Sequence, residues 1–231
     1  MTADPGARSQ SQADADAHDR AGAVLLARDV HKSYGRHRVL RGADLRVEPG
    51  QLVAVIGENG SGKSTLLKSL AGTLAVDRGE VRLAGSLGYC PQVPVLNHNL
   101  TVGQHLRCFA AAHRLPDLDR GRELMHRLGY ERYETKAAGE LSGGTLQKLN
   151  LTLALLHDPD VLLLDEPYQG FDWETYLHFW GLVEDLRSRG RAVVIITHLV
   201  FEQDRFDRLE DLVDGRLRPR TASREDGHAN V

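Results

Sequence analysis

A glycine-rich loop that joins an apolar strand pattern to a helical pattern constrains this chain more than any other feature. Residues 51–57 read QLVAVIG, which is typical of a buried strand, and residues 63–72 read KSTLLKSLAG, which predicts a helix closed by glycine. The segment from Gly57 to Ser64 matches the pattern G-x-x-x-x-G-K-[ST]. Because strand and helix stand where that pattern requires them, an accidental glycine-rich turn is a poor explanation. The sequence predicts a phosphate-binding P-loop.

Each part of this loop has a chemical role in binding a nucleotide. Glycines let backbone N–H groups turn towards phosphate oxygens, and the helix N-terminus adds partial positive charge. Lys63 is expected to reach the β and γ phosphates, and the Ser64 hydroxyl is a ligand for Mg²⁺. The predicted ATP-binding residues of the loop are Gly57, Glu58, Asn59, Gly60, Ser61, Gly62, Lys63, Ser64 and Thr65.

Composition narrows the class of protein. The chain has 231 residues, of which 41% are hydrophobic and 26% charged, and this fits one large soluble globular unit. A formal net charge of -3 argues against a phosphate-rich partner, so no nucleic acid is expected. The chain has two cysteines, no secretory leader and no apolar run of about 18 residues, so we expect a cytoplasmic chain that does not itself cross a membrane.

Strand patterns alternate with helix patterns over most of the chain. Residues 161–167 (VLLLDEP) and 192–198 (AVVIITH) repeat the buried-strand pattern of 51–57, which predicts an α/β fold with a mostly parallel sheet covered on both faces. Alternating segments between 24 and 50 predict an antiparallel β flank. Residues from about 99 to 145 have helical patterns without a strand signal, which predicts an inserted α-helical subdomain.

The predicted boundaries follow the apolar content. Residues 1–22 and 218–231 are polar and too poor in apolar side chains to pack, so both are predicted to be disordered tails. The body between them, residues 23–217, is predicted to be a single P-loop domain that includes the helical subdomain.

Two acidic residues stand at the end of the predicted strand VLLLDEP. Ligands of α/β sheets bind at the carboxyl ends of strands, so Asp165 is placed to hold Mg²⁺ and Glu166 to act as general base on a water molecule. Alone, this segment is equally consistent with a buried strand followed by an acidic turn. The P-loop upstream favours the functional interpretation.

A second glycine-rich helix start lies far downstream of the P-loop. It reads LSGGT and precedes a helical pattern whose leucines at 146, 149, 153 and 156 form one stripe. The serine is placed to cap this helix, and the glycines leave N–H groups free for a second anion. A helix cap alone would also explain the serine. The residues of the segment are Leu141, Ser142, Gly143, Gly144 and Thr145.

Taken in order, the motifs resemble those of the ATP-binding subunit of ABC transporters. Over residues 24–217 they are GENGSGKS, PQ at 91–92, LSGGT, LLLDEP, GFD at 170–172 and TH at 197–198. The resemblance implies an ABC ATPase fold and hydrolysis of ATP with Mg²⁺. It also implies a head-to-tail dimer in which LSGGT acts in trans, on ATP held by the P-loop of the other subunit. The chain would carry two anion sites because each is half of a shared site.

The resemblance implies roles for single residues. Tyr34 matches the aromatic residue that stacks on adenine, with a tyrosine packed into the core as the alternative. Gln92 matches a residue that contacts Mg²⁺ or the attacking water. His198 matches one that contacts the γ phosphate, with a structural histidine as the alternative, and Asp172 matches the D-loop aspartate at the subunit interface. The predicted catalytic residues are Glu166, His198 and Gln92, and the predicted Mg²⁺ ligands are Ser64, Gln92 and Asp165.

Three features depart from the family pattern, two of them single residues and the third a spacing. Thr145 stands where glutamine is usual in LSGGT, the signature segment of the family. We expect this segment to remain able to bind phosphate, because its phosphate contacts come from Ser142 and backbone N–H groups. Phe171 is bulkier than the usual residue and is expected beside the subunit interface. The separation between Lys63 and Gln92 is short, which indicates a trimmed peripheral arm.

These features predict the ATPase subunit of a transporter that drives a separately encoded membrane permease. The subunit would form a homodimer or heterodimer on the inner face of the cell membrane, with the permease bound near Gln92. Export is favoured because the arm is short and no C-terminal sensor domain follows residue 217. A soluble ABC-type ATPase acting in translation or DNA maintenance is the alternative. A P-loop kinase would have no use for LSGGT together with His198.

Overall fold

The computed structural model describes residues 22–197 and 203–220, and the following strands and helices lie within these two ranges. The strands are β1 (Leu25–Tyr34), β2 (His37–Val47), β3 (Leu52–Ile56), β4 (Arg78–Leu83), β5 (Leu87–Cys90), β6 (Val161–Asp165), β7 (Ala192–Ile196), β8 (Arg208–Val213) and β9 (Arg216–Pro219). The α-helices are α1 (Lys63–Leu70), α2 (Val102–Ala112), α3 (Asp119–Arg127), α4 (Gly143–Leu155) and α5 (Trp173–Ser188).

A six-stranded sheet in the order β5-β6-β7-β3-β8-β9 forms the centre of the domain. Neighbouring strands are parallel except β8 and β9, which are antiparallel. Every residue of β3, β6 and β7 is buried. In β6, Leu162 and Leu164 belong to the apolar core on the helical side, whereas Val161 and Leu163 belong to the core that contains α1. The predicted mostly parallel sheet, covered on both faces, is confirmed.

The predicted antiparallel flank is a separate three-stranded sheet in the order β2-β1-β4. Its inward residues, among them Val30 and Leu45, share one apolar core with Leu66 and Leu67 of α1. The flank therefore holds the helix that follows the P-loop against the central sheet.

The predicted helical segment contains α2, α3 and two short 3-10 turns before α4 begins. Thr101 and Gln104 form a capping box at the start of α2, in which each side chain accepts a hydrogen bond from the backbone N–H of the other. Tyr130 is fully buried, and its hydroxyl donates a 2.6 Å hydrogen bond to Oγ1 of Thr152 in α4. This bond joins the helical segment to the helix that follows LSGGT.

The structure also contains elements that the sequence patterns did not indicate. The residues of β4 are exposed or half-buried, so this strand lacks the apolar pattern of a buried one, and β5 has only four residues. Strand β9 extends to Pro219, two residues beyond the predicted end of the body. Most of the two predicted tails lies outside the described residues. Within residues 22–197 and 203–220, every helix is too short or too polar to cross a bilayer.

Candidate nucleotide-binding site

The P-loop follows β3 and opens α1, as the sequence predicted. Gly62 has a φ of 103°, and a Cβ there would lie 2.6 Å from Cγ1 of Val39. Only glycine meets both the backbone and the space requirement at this position. The buried Lys63 folds over its own loop, and its Nζ donates hydrogen bonds to the carbonyl oxygens of Gly57 and Glu58 at 2.7 and 2.9 Å.

The carboxyl ends of the parallel strands bring further predicted residues to the same edge of the sheet. Asp165 ends β6 and pairs with Ile196 at the end of β7, while Gln92 follows β5 by two residues. With the P-loop they surround a cavity of about 280 Å³. Its described lining consists of Val39, Asn59, Gly60, Gly62, Lys63, Ser64, Thr65, Gln92, Asp165 and Glu166. This is where ligands of open α/β sheets bind.

Glu166 is held in an uncommon backbone conformation at this cavity. Its φ is 47°, in the left-handed region that non-glycine residues seldom adopt, and its N–H donates a 2.9 Å hydrogen bond to the carbonyl oxygen of Ile196. The Nε2 of Gln92 donates to Oε2 of Glu166 at 3.3 Å. The structure thus brings together Gln92 and Glu166, both predicted to act on the attacking water. Strained backbone such as that of Glu166 is often found at functional sites.

Asp165 is buried and lines the cavity together with Ser64. Burial raises the pKa of Asp165 above its usual value, whereas the nearby Ser64 hydroxyl opposes the shift and the charge of Glu166 adds to it. A divalent cation would favour the ionised carboxylate. Hydroxyl, carboxylate and amide oxygens are hard ligands of the kind that Mg²⁺ takes, so the donor set of Ser64, Asp165 and Gln92 fits this ion.

Tyr34 lies on the antiparallel flank, at the end of β1. It ends β1 opposite His37, and Val39 of the neighbouring strand lines the P-loop cavity. The Tyr34 side chain is 51% exposed, so it is not part of the buried core. Its ring is accessible to a base, and stacking on adenine stays a prediction.

The LSGGT segment starts α4 as predicted, with Ser142 as N-cap. Ser142 Oγ accepts a hydrogen bond from the N–H of Thr145 at 3.3 Å and lies 2.9 Å from Thr145 Oγ1. A Cβ on Gly143 would meet open space, whereas one on Gly144 would lie 2.5 Å from the carbonyl oxygen of Gly170. The first glycine is therefore open to a ligand, and the second allows close packing against the segment that precedes α5.

Asp172 caps α5 and accepts a 2.8 Å hydrogen bond from the N–H of Thr175. Hydrogen bonds from the side chain and backbone of Thr175 lower the pKa of Asp172. Phe171 is half-buried and packs edge-on against Phe179, whereas Trp173 is 70% exposed, and the position of Phe171 beside a subunit interface stays a prediction. The bulky exposed ring beside Asp172 is therefore that of Trp173, whereas Phe171 packs against the apolar core.

His198, the predicted contact for the γ phosphate, lies outside the described residues. Thr197 directly precedes His198, and its Oγ1 accepts a 2.7 Å hydrogen bond from the hydroxyl of Tyr168. Sequence reasoning missed this tyrosine and also the amides Gln147 and Asn150, which are buried in α4. Polar residues at buried positions of a leucine-rich helix were the signal that could have found them.

Fold and site together define an α/β domain whose P-loop and buried acidic pair enclose a cavity for a nucleoside polyphosphate. A sequence model of the family described as "ABC transporter" matches residues 40–169, more than half of the chain. The chain therefore belongs to the ABC transporter family, as its motifs indicated, and it is an ABC-type ATPase domain.

Two curated relatives illustrate the similarity. "Nod factor export ATP-binding protein I" of Paraburkholderia xenovorans (strain LB400) is 34% identical over 203 residues, which cover 81% of this chain and 67% of that protein. "ABC transporter G family member 20" of Dictyostelium discoideum is 31% identical over 209 residues, which cover 84% of this chain and 29% of that protein. The chain thus spans less than a third of the second relative.

Solved structures agree on the fold. The chain is similar to one described as "Structure of ATP binding subunit of ABC transporter", with a TM-score of 0.81, 28% identity, and coverage of 86% of this chain and 90% of the other. A bacterial ABC transporter cassette described as dimeric gives a TM-score of 0.78 at 24% identity, over 86% of this chain and 99% of the other. At that identity the second match supports the fold alone.

Proposed function

We propose that this chain is the ATP-binding and ATP-hydrolysing subunit of an ABC transporter and that it drives a separately encoded membrane permease. One observation carries the proposal: the cavity in which the P-loop lysine, Ser64, Asp165 and the hydrogen-bonded Gln92–Glu166 pair meet. A phosphate-binding loop alone would support any nucleotide-binding protein. A buried carboxylate hydrogen-bonded to an amide beside that loop supports hydrolysis.

The side chains of the cavity have distinct roles in this proposal. Lys63 exchanges its two carbonyl contacts for phosphate oxygens when ATP binds. Glu166 accepts the proton of the water that attacks the γ phosphate. Gln92, which is hydrogen-bonded to Glu166, orients that water. Mg²⁺, when bound near Ser64 and Asp165, neutralises phosphate charge. We propose the contact with the γ phosphate for His198, which lies outside the described residues.

The second half of each ATP site would come from another subunit. Ser142 and Gly143 are exposed, and no residue of 141–145 is part of the described lining of the P-loop cavity. This supports the head-to-tail dimer, with either a second copy or a paralogue as the other subunit.

The loop after Gln92 supports the proposed permease contact. Val93 and Val95 are 72% and 88% exposed, so two apolar side chains of this loop are open to a protein partner. We propose that the permease covers them and holds the subunit at the inner face of the membrane. Export is the favoured direction because several relatives are named as export ATP-binding proteins.

Affinity purification from detergent-solubilised membranes tests this proposal. A protein with several membrane spans is expected to co-purify with the tagged chain and to stimulate its ATP hydrolysis. Replacing Val93 and Val95 together by glutamate should release that protein without weakening ATP binding, whereas Leu83→Glu on the antiparallel flank should not. Recovery of ribosomes or DNA instead of a membrane protein would contradict the proposal and favour the soluble alternative.

A further inference from the structure

A buried amide of α4 holds the loop that carries Gln92. Asn150 is 6% exposed, and its Nδ2 donates a 2.8 Å hydrogen bond to the carbonyl oxygen of Pro91. A carbonyl oxygen lies in one plane with the nitrogen and Cα of the next residue. A fixed Pro91 oxygen therefore fixes where the Gln92 backbone begins.

A second buried amide, one turn earlier on the same helix, holds the loop that carries Glu166. Gln147 is 4% exposed, and its Nε2 donates to the carbonyl oxygen of Pro167 at 3.4 Å. Proline has a nearly fixed φ, so a shift of Pro167 cannot be absorbed at that torsion. The position of Pro167 is thereby coupled to that of Glu166, the residue before it.

The two contacts close a ring of bonds. Asn150 Nδ2 also lies within hydrogen-bonding distance of Gln147 Oε1, at 3.4 Å, and we call these two residues the amide pair. At the other end of the ring, Gln92 donates to Glu166 across the cavity. The amide pair contacts the residue before Gln92 and the residue after Glu166, on a helix that begins with LSGGT.

We infer that the amide pair positions Gln92 and Glu166 for hydrolysis. The helix that offers its N-terminus to another subunit then also sets the geometry of the catalytic loops in its own chain. This inference rests on the proposed ATPase function. It assigns no contact with ATP to the amide pair, which acts only through the two loops.

Steady-state kinetics test the positioning role. Asn150→Ala is expected to lower kcat by about tenfold, because a catalytic group displaced by a fraction of an ångström loses alignment with the attacking water. The KM for ATP should stay unchanged, since Asn150 does not line the cavity. In a Gln92→Ala background, Asn150→Ala should have no further effect on kcat, because its contribution acts through Gln92.

Thr152→Val is the matched control. It removes another buried hydrogen bond of α4, the one to Tyr130, without touching either loop. The expected result is a lower Tm with kcat unchanged. Should Asn150→Ala fail to fold, Asn150→Leu fills nearly the same volume without an N–H donor.

Hydrogen exchange of the nucleotide-free protein provides a readout that does not depend on hydrolysis. Asn150→Ala should speed exchange of the amides at 92–96, and Gln147→Leu should speed exchange at 168–170, whereas Thr152→Val should change neither. Unchanged exchange in both segments, or equal losses of kcat with and without Gln92, would overturn the inference. If the variants show the expected exchange changes but the wild-type protein hydrolyses no ATP, the proposed function is overturned. The catalytic role assigned to the amide pair is then overturned with it.

Discussion

The P-loop and the LSGGT segment are both glycine-rich helix starts, but they provide very different amounts of an anion site. The P-loop, with its lysine, is one wall of a cavity that also contains two carboxylates and the amide of Gln92. The signature segment caps its own helix through Ser142 and leaves Gly143 open. Among the described residues, the lining of the P-loop cavity includes none of residues 141–145.

This difference shows which half can work by itself. The P-loop half can hold a nucleotide within one chain because it supplies charged groups, oxygen ligands of the kind that Mg²⁺ takes, and enclosure. A helix N-terminus on an exposed surface supplies only a few N–H donors, so it becomes effective when a second surface encloses the ligand. The contrast predicts that changes in the P-loop half affect the isolated chain, whereas changes in the signature half affect the assembly.

The largest expected effect lies in the P-loop half. Glu166→Gln removes the base with little change in volume, so turnover should fall by about two or more orders of magnitude while ATP still binds. Steady-state hydrolysis and equilibrium ATP binding, measured with the partner present, check this. Glu123→Gln on the exposed face of α3 is the control and should turn over normally. Wild-type turnover by Glu166→Gln would show that another group is the base.

A smaller effect is expected at Tyr34, where the P-loop half is predicted to receive the adenine ring. Tyr34→Ala should weaken ATP binding by about tenfold, the upper range for the loss of one aromatic stack, and Tyr34→Trp should largely preserve it. Because the side chain is half exposed, the Tm should hardly change. A lower Tm with unchanged affinity would mean that the ring stabilises the flank rather than the nucleotide.

The smallest effect concerns the buried carboxylate of Asp165. Because folding raises the pKa of Asp165, its protonated form stabilises the fold below the unfolded-state pKa. This contribution is lost as pH rises through the folded-state pKa, so it is absent at pH 7. Without nucleotide and Mg²⁺, Asp165→Asn should therefore raise the Tm at pH 7 by about 2 °C. The gain should vanish in acid, below the usual aspartate pKa. A lower Tm at pH 7 would contradict this and show that the ionised carboxylate supports the fold.

The sequence was sufficient to predict the central elements because their signals are local. The P-loop glycines, the apolar runs of β3, β6 and β7 and the alternating flank each follow from a few neighbouring residues. Strand β4 could not be predicted in this way, since its pairing with β1 depends on partners distant in sequence and its residues are largely exposed.

The site was predictable at the level of residue types but not of contacts. The motif order indicated Gln92 and Glu166, yet their mutual hydrogen bond depends on two loops that are 74 positions apart. The left-handed backbone of Glu166 had no sequence signal, because only the surrounding chain imposes it. The same holds for Phe171, whose direction follows from packing against Phe179 rather than from the motif.

Mixing two inactive variants tests the shared site most directly. A Lys63→Ala subunit lacks a working P-loop, a Ser142→Arg subunit lacks a working signature segment, and each homodimer therefore has two defective sites. In a mixed dimer both defects fall in one composite site and the other site is intact. Random assortment makes half of the dimers mixed, so roughly a quarter of all sites should again trap nucleotide.

Trapped nucleotide is the quantity to measure, with native mass spectrometry to establish that mixed dimers have formed. If the natural assembly is a heterodimer, the same exchange is made with the paralogue. The composite site predicts no trapping in either variant alone and recovery to about a quarter of the wild-type level on mixing. Confirmed mixed dimers without recovery would contradict it and show that LSGGT does not complete a P-loop on the other subunit.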